Sequence, residues 1–173
     1  MIIHLDRIRE EPYRWDERVA VPAESLDREI LCELGEVGWS GEVARAARGF
    51  RLTASLQYTQ TLNCTRCLKP VDVPVESDVE LMVEVKGSMP VVGEIRLQPS
   101  DLGTLALDEP ELDTRPILIE QLQLNVPMTV LCRPDCAGLC PHCGADRNEN
   151  PSCCEPETDP RWEALKNILP GLR

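Results

Sequence analysis

Nine cysteines fall in a pattern that constrains this chain more than any other feature. Cys64 and Cys67 form Cys-Thr-Arg-Cys, six more crowd into the 23 residues from Cys132 to Cys154, and Cys32 stands alone. A disulfide framework needs an oxidising compartment and favours an even count. The first residues, Met1-Ile2-Ile3-His4-Leu5-Asp6-Arg7, lack the basic stretch and apolar run of a signal peptide. No apolar run approaches the roughly 20 residues that cross a bilayer. The chain is therefore expected to be cytoplasmic, with reduced thiols.

Reduced thiols at this spacing suit metal. A Cys-x-x-Cys turn lets two thiolates reach one ion while turn amides donate to the sulfurs, and structural zinc takes four such ligands. Cys140-Pro141-His142-Cys143-Gly144 has the form of a zinc knuckle, with Gly144 free to adopt the left-handed conformation. Cys64-Thr65-Arg66-Cys67 has the same spacing without the glycine, and Cys132-x3-Cys136 lies directly upstream of the second knuckle. The expected ligands are Cys64, Cys67, Cys132, Cys136, Cys140 and Cys143, with Cys153 or Cys154 as a further one.

The grouping stays open. Cys64 and Cys67 can close with Cys132 and Cys136, leaving Cys140, Cys143 and the Cys153-Cys154 pair for a second ion. The two Cys-x-x-Cys turns can instead join directly, or Cys132, Cys136, Cys140 and Cys143 can form a local site. Adjacent cysteines rarely bind one ion together easily, so one of Cys153 and Cys154 reads as a spectator. His142 reads as a solvent-facing knuckle residue, His4 has no evident partner, and Cys32, among Ile30, Leu31 and Leu34, reads as a buried thiol. Dithiol redox catalysis is the competing chemistry, but it normally places Cys-x-x-Cys at a helix start, and neither pair is expected there. There is no glycine-rich phosphate loop and no Ser/His/Asp set, so the chain reads as non-enzymatic.

The net charge of −12 excludes bulk coating of nucleic acid, which needs a basic surface. The acidity is local, however: residues 72–131 carry a net of −9, while residues 43–71 hold Arg45, Arg48, Arg51, Arg66 and Lys69 and no acid. This basic stretch either pairs with the acidic strand region after it or forms a contact face for RNA or a protein partner.

Apolar residues fall on even positions from Phe50 to Leu62 and on odd positions from Val71 to Val85, the period of two half-buried strands. Pro74 marks an edge or irregular start in the second, and the first cysteine pair sits in the turn between them. Residues 2–8 suit a short strand, residues 24–34 a helix or strand, and 94–98 an edge strand. The acids at 109–113 read as a solvated loop. Asp113-Thr114-Arg115-Pro116 opens a helix with Ile117, Ile119, Leu122 and Leu124 as its apolar side, ended by Pro127. Residues 158–169 read as a second helix. The expected class is α+β: a mainly antiparallel sheet or partial barrel with two short helices and a cysteine-rich zinc-binding loop. Residues 1–131 form the β domain, and residues 132–173 supply the loop and C-terminal helix packed on it.

These residues also resemble a known family. Cys64-x2-Cys67-Leu68-x-Pro70, the helix ending in Pro127, Leu131-Cys132-x3-Cys136-x-Gly138-Leu139-Cys140-Pro141-x-Cys143-Gly144-Ala145-Asp146-x-Asn148 and Asp159-Pro160-Arg161-Trp162-x-Ala164-Leu165 are similar to the YceD family. The resemblance implies processing or accumulation of 23S ribosomal RNA during large-subunit assembly, metal binding by the cysteines, and large-subunit rRNA or a ribosomal protein as partner. Two positions depart from the family pattern: the adjacent Cys153-Cys154, where similar chains separate the cysteines, and Arg147 in place of leucine.

Overall fold

The alternation of apolar residues on either side of the first cysteine pair becomes the longest feature of the fold. In the computed structural model, which describes residues 1–22, 26, 31–85, 103–154 and 161, β5 (Phe50–Asn63) pairs with β6 (Pro70–Val85) in register from Phe50↔Val83 to Asn63↔Pro70. Every even position of β5 from Phe50 to Leu62 is buried. Most odd positions of β6 are buried or half-buried beside them, while Asp72, Glu76, Asp78 and Glu80 point outward. Pro74 pairs with Thr59, and among the described residues β6's other side is paired only from Met82 to Val85, so there its missing N–H falls on an unpaired stretch.

The other side of β5 is shared. Next to the start of β5 lies β4 (Val37–Arg45), from Arg45↔Phe50 to Gly38↔Gln57, and β3 (Leu31–Leu34) takes over towards its end. Between them Gly35 donates its N–H to Thr59 O at 2.8 Å. Strand β2 (Tyr13–Val19) pairs with β4, and β7 (Thr104–Leu107) lies parallel to β6, giving the order β2-β4-β5-β6-β7. A separate ribbon pairs β1 (Ile2–His4) with β8 (Glu111–Asp113).

This ribbon leads into α1 (Thr114–Leu124), whose N-cap Asp113 accepts from Arg115 N at 3.0 Å, with Pro116 in the first turn. Ile3, Leu112, Leu118 and Leu122 join Trp39, Leu52 and Leu56 in one buried cluster, so ribbon and helix cover one face of the sheet. A smaller cluster of Leu62, Val126 and Val130 lies under the far end of the hairpin. There Gln60, fully buried, donates Nε2–H to Asn125 O at 3.1 Å.

Several expectations are corrected. The helix buries Ile117, Leu118 and Leu122, whereas Leu124 is 67% exposed. The acids at 109–113 are not all loop: Glu111–Asp113 is a strand, and Glu111 faces His4, with Nδ1 and Oε1 3.4 Å apart. The first strand stops at His4, where a 3-10 turn over Leu5–Arg7 begins. Cys32 is exposed rather than buried, because the pairing of β3 with β5 shifts register between Leu31 and Glu33 and lifts the residue between them out of the ladder. The strand expected at 94–98 and nearly all of the helix expected at 158–169 lie outside the described residues. No helix among the described residues is long and apolar enough to cross a membrane.

Gly41 is required by packing. A Cβ there would lie 2.5 Å from Thr53 O and 2.6 Å from Cζ2 of Trp15, whose ring centroid is 5.7 Å from that of Trp39. Gly41→Ala is expected to destabilise the fold by about 1–3 kcal/mol, the range for overpacking, read from the midpoint of urea unfolding.

Candidate metal centre

The turn joining β5 to β6 is built by its backbone. Cys64 N–H donates to Lys69 O at 2.8 Å, Leu68 N–H donates to Cys64 O at 2.9 Å, and Asn63 pairs with Pro70 below. Leu68 follows the second cysteine with a φ of 61°, the left-handed region. Residues 139–146 repeat this construction at the same offsets. Cys140 N–H donates to Ala145 O at 2.8 Å, Gly144 N–H donates to Cys140 O at 2.9 Å, Leu139 bridges Asp146, and Gly144 has a φ of 72°. The two knuckles thus share one backbone plan, although only the second carries glycine at the left-handed position.

The knuckles do not share a cluster. Cys64, Cys67, Cys132 and Cys136 place their sulfurs within 4.8 Å of one another, and Cys140, Cys143, Cys153 and Cys154 do the same. Of the groupings the spacing left open, this is the one that closes each knuckle on a different downstream pair. In the first cluster Sγ of Cys64 lies 3.9 Å from Cys136 and Sγ of Cys67 lies 3.6 Å from Cys132. A tetrahedral ion with Zn–S bonds of ~2.3 Å holds its sulfurs about 3.8 Å apart, so the thiols already have the spacing that such an ion needs. Four sulfurs and no carboxylate suit a soft or borderline ion rather than magnesium or calcium.

The electrostatics point the same way. Burial pushes the Cys64 thiol up, but N–H groups of Cys67, Arg66 and Cys132 outweigh it and bring it down to about 6. In the second knuckle the amides of Cys143 and His142 bring Cys140 down to about 6. Their neighbours move oppositely. Desolvation of its sulfur, then hydrogen bonding with Cys67, Cys136 and Cys64, pushes Cys132 up to about 12, and hydrogen bonding with Cys143, then desolvation, does so for Cys154. Such crowded thiols do not all ionise easily without a cation among them, and each cluster has the ligand set that could hold one.

Polar contacts lock the tip of the hairpin to the segment that follows α1. Val130 O accepts from Thr65 N at 2.8 Å and from Thr65 Oγ1 at 3.1 Å. Arg66 donates Nη1–H to Cys136 O at 2.9 Å, and its own carbonyl accepts from Leu139 N at 3.0 Å. Gly138, with a φ of 72°, permits this approach, since a Cβ would lie 2.9 Å from Arg66 O. Asn148 ties the loops together: Nδ2 donates to Asp146 Oδ1 at 2.6 Å and lies 3.5 Å from Cys136 Sγ, while Oδ1 accepts from Arg133 Nη2 at 2.6 Å and from Ala137 N at 2.8 Å. Asn148 and Asp146 carry no signal in the spacing of the cysteines, and the left-handed Leu68 carries none at all.

The five basic residues of 45–69 divide into two groups. Arg45 stacks on Phe50, its Cζ 5.7 Å from the ring centroid, and Arg48 and Arg51 pair with Glu84 at 3.4 Å and Glu80 at 3.5 Å. Arg66 and Lys69 sit at the other end of the hairpin, up to about 40 Å away at ~3.3 Å per residue. Lys69 Nζ reaches Asp146 Oδ2 at 2.8 Å and Glu149 Oε1 at 2.7 Å. Those contacts raise the Lys69 ammonium and hold the Asp146 carboxyl below its ordinary value. His142 is exposed at the knuckle tip.

Fold and site together define a class, a β-sheet protein whose longest hairpin is joined to a later loop by convergent thiols arranged to hold metal. A family model described as "Large ribosomal RNA subunit accumulation protein YceD" matches residues 52–169, and the chain belongs to that family. An uncharacterised protein of Mycobacterium tuberculosis is 28% identical over 152 residues, which cover 88% of this chain and 69% of the relative. A counterpart in Mycobacterium bovis gives the same figures. The chloroplastic large ribosomal RNA subunit accumulation protein YCED homolog 1 of Zea mays is 25% identical, over 75% of this chain and 52% of its own length. No solved structure matches.

Two substitutions probe the centre. Asn148→Ala removes a contact to the Cys136 sulfur and, if the cluster holds metal, is expected to weaken its binding by roughly 10–100-fold, the usual cost of losing such support, measured by competition with a chromophoric chelator. Leu68→Gly relieves a left-handed leucine and is expected to stabilise the metal-bound chain by about 1 kcal/mol, read from its thermal midpoint.

Proposed function

We propose that this chain is a non-enzymatic cytoplasmic factor that promotes processing or accumulation of 23S ribosomal RNA during assembly of the large subunit. The observation that carries this reading is the family match, which covers most of β5, all of β6 and both knuckles. Zinc fits the donor set as a structural ion, held at the hairpin tip by Cys64, Cys67, Cys132 and Cys136. When bound, it supplies charge compensation for thiolates and a rigid junction. Residues 1–131 and 132–173 act as one body joined there.

Contact with RNA is assigned to Arg45, Arg48 and Arg51 at the open end of the hairpin, with Arg66 and Lys69 at the tip. The Arg48 and Arg51 side chains are 78% and 58% exposed. Exposed ion pairs of this kind contribute only about 0–1 kcal/mol, so phosphates can replace their carboxylate partners with little loss. A second reading has a specific observation in its favour, the outward row of Asp72, Glu76, Asp78 and Glu80 along β6. In that reading the acidic face docks a basic ribosomal protein and the chain does not touch RNA.

Depletion of the protein is expected to lower the ratio of 23S to 16S rRNA, with restoration by the wild-type chain; an unchanged ratio overturns the reading. Charge reversal at Arg45 and Arg48 separates the two contacts. If the arginines meet phosphates, binding to 23S rRNA weakens and the slope of log affinity against log salt becomes shallower by about 1.5, two contacts at ~0.7–0.9 each. Salt-sensitive binding to a basic protein, with none to naked rRNA, favours the adaptor.

A further inference from the structure

Cys140, Cys143, Cys153 and Cys154 take no part in fastening the hairpin tip, yet their sulfurs converge within 4.8 Å. We infer that these four hold a second thiophilic ion, of the zinc class, separate from the ion at the tip, and that this outer ion is the faster of the two to exchange. The inference shares with the proposed function only the premise that the tip cluster binds zinc.

The first support is the repeated knuckle. The hydrogen bonds from Cys140 N to Ala145 O and from Gly144 N to Cys140 O, at 2.8 and 2.9 Å, match the lengths and offsets of those that present Cys64 and Cys67. A backbone that aims two thiols at one point has therefore been built twice. Nothing crowds Gly144, around which no atom lies within 4 Å of the Cβ position.

The second support is how adjacent cysteines come to converge. In an extended strand neighbouring side chains point to opposite faces, which would disqualify Cys153-Cys154 as a pair. Here residues 151–154 form turns and bends, and Cys153 N–H donates back to Asn150 O at 3.3 Å. The fold thus removes the objection that made one of these two a spectator. The clusters share no ligand, so each can fill or empty without taking a sulfur from the other.

Exchange order follows from burial and connectivity. At the tip, Cys64, Cys67 and Cys136 are buried against Val71 and Leu131, and the ligand pairs lie 65 and 72 residues apart in sequence. In the outer cluster only Cys140 is buried; Cys143 is exposed and Cys153 and Cys154 are half-buried. A competing chelator meets one exposed and two half-buried sulfurs in the outer cluster, whereas at the tip only Cys132 is exposed and the other three sulfurs must first be uncovered.

The test uses the full chain purified under reducing conditions with zinc. Elemental analysis is expected to give two zinc ions per chain, falling to one in the double variant Cys153→Ser, Cys154→Ser. A chromophoric chelator should draw zinc from the wild-type chain in two phases, and the fast phase should be missing from that variant. Because Cys64→Ser, Cys67→Ser can unfold the protein, the outer variant carries the test, with its far-UV circular dichroism compared with wild type. One zinc per chain, retained by the outer variant, overturns the inference and leaves the tip site standing. Two zinc ions leaving in a single phase overturn the order of exchange. No zinc at all defeats both metal readings, while the role in rRNA accumulation is decided separately by the 23S to 16S ratio.

Discussion

The pairing of β5 with β6 sets the geometry on which everything else depends. Because the ladder runs unbroken from Phe50↔Val83 to Asn63↔Pro70, one register decides which side chains meet the core and where the turn falls. A slip of one residue would exchange the buried and outward faces. It would also move Cys64 and Cys67 off the end of the ladder, away from the carbonyl of Lys69 that closes the turn. Core and metal centre are thus two results of a single alignment, with the large apolar cluster towards one end of the hairpin and the thiols at the other.

At that far end the forces change character. Leu62, Val126 and Val130 form a small apolar cluster, too slight to hold the segment after α1 by burial alone. Directed contacts take over: Gln60 to Asn125, Thr65 to Val130, Arg66 to Cys136, and Lys69 to Asp146 and Glu149. Hydrogen bonds of this kind contribute about 1 kcal/mol each, and the exposed ion pairs less. They position the four thiols, which could hold an ion at this weakly packed junction.

Much of this was legible in the residues. Period-two alternation revealed both long strands, and Asp113 with Pro116 marked the start of α1 within one residue. The convergence of the cysteines was legible too, since thiol spacing follows directly from chain geometry. What stayed hidden depends on paths between distant elements. The pairing of β1 with β8 joins residues more than 100 positions apart, and the parallel β7 has too short a pattern to read. Cys32 sits among apolar neighbours and looks buried until the register shift beside it is known. Counting gave the division of eight cysteines into two clusters as one of three groupings but could not choose it, because the choice depends on how the hairpin tip meets the later loop, as where the carbonyl of Arg66 meets Leu139. The left-handed leucine at 68 has no local signature, because leucine seldom adopts that conformation.

The separation of Cys67 from Cys132 has a mechanical side. An ion joining them turns the intervening chain, which holds β6, β7, β8 and α1, into a closed ring. Drawn out from its N-terminal side, such a chain would yield β1 to β5, but the ring would pass the tension across metal–sulfur bonds rather than through its own strands. The acidic outer row of β6 lies inside that ring, while Arg45, Arg48 and Arg51 lie outside it. Stretching would therefore part the two surfaces, leaving the one folded after the other had been drawn away.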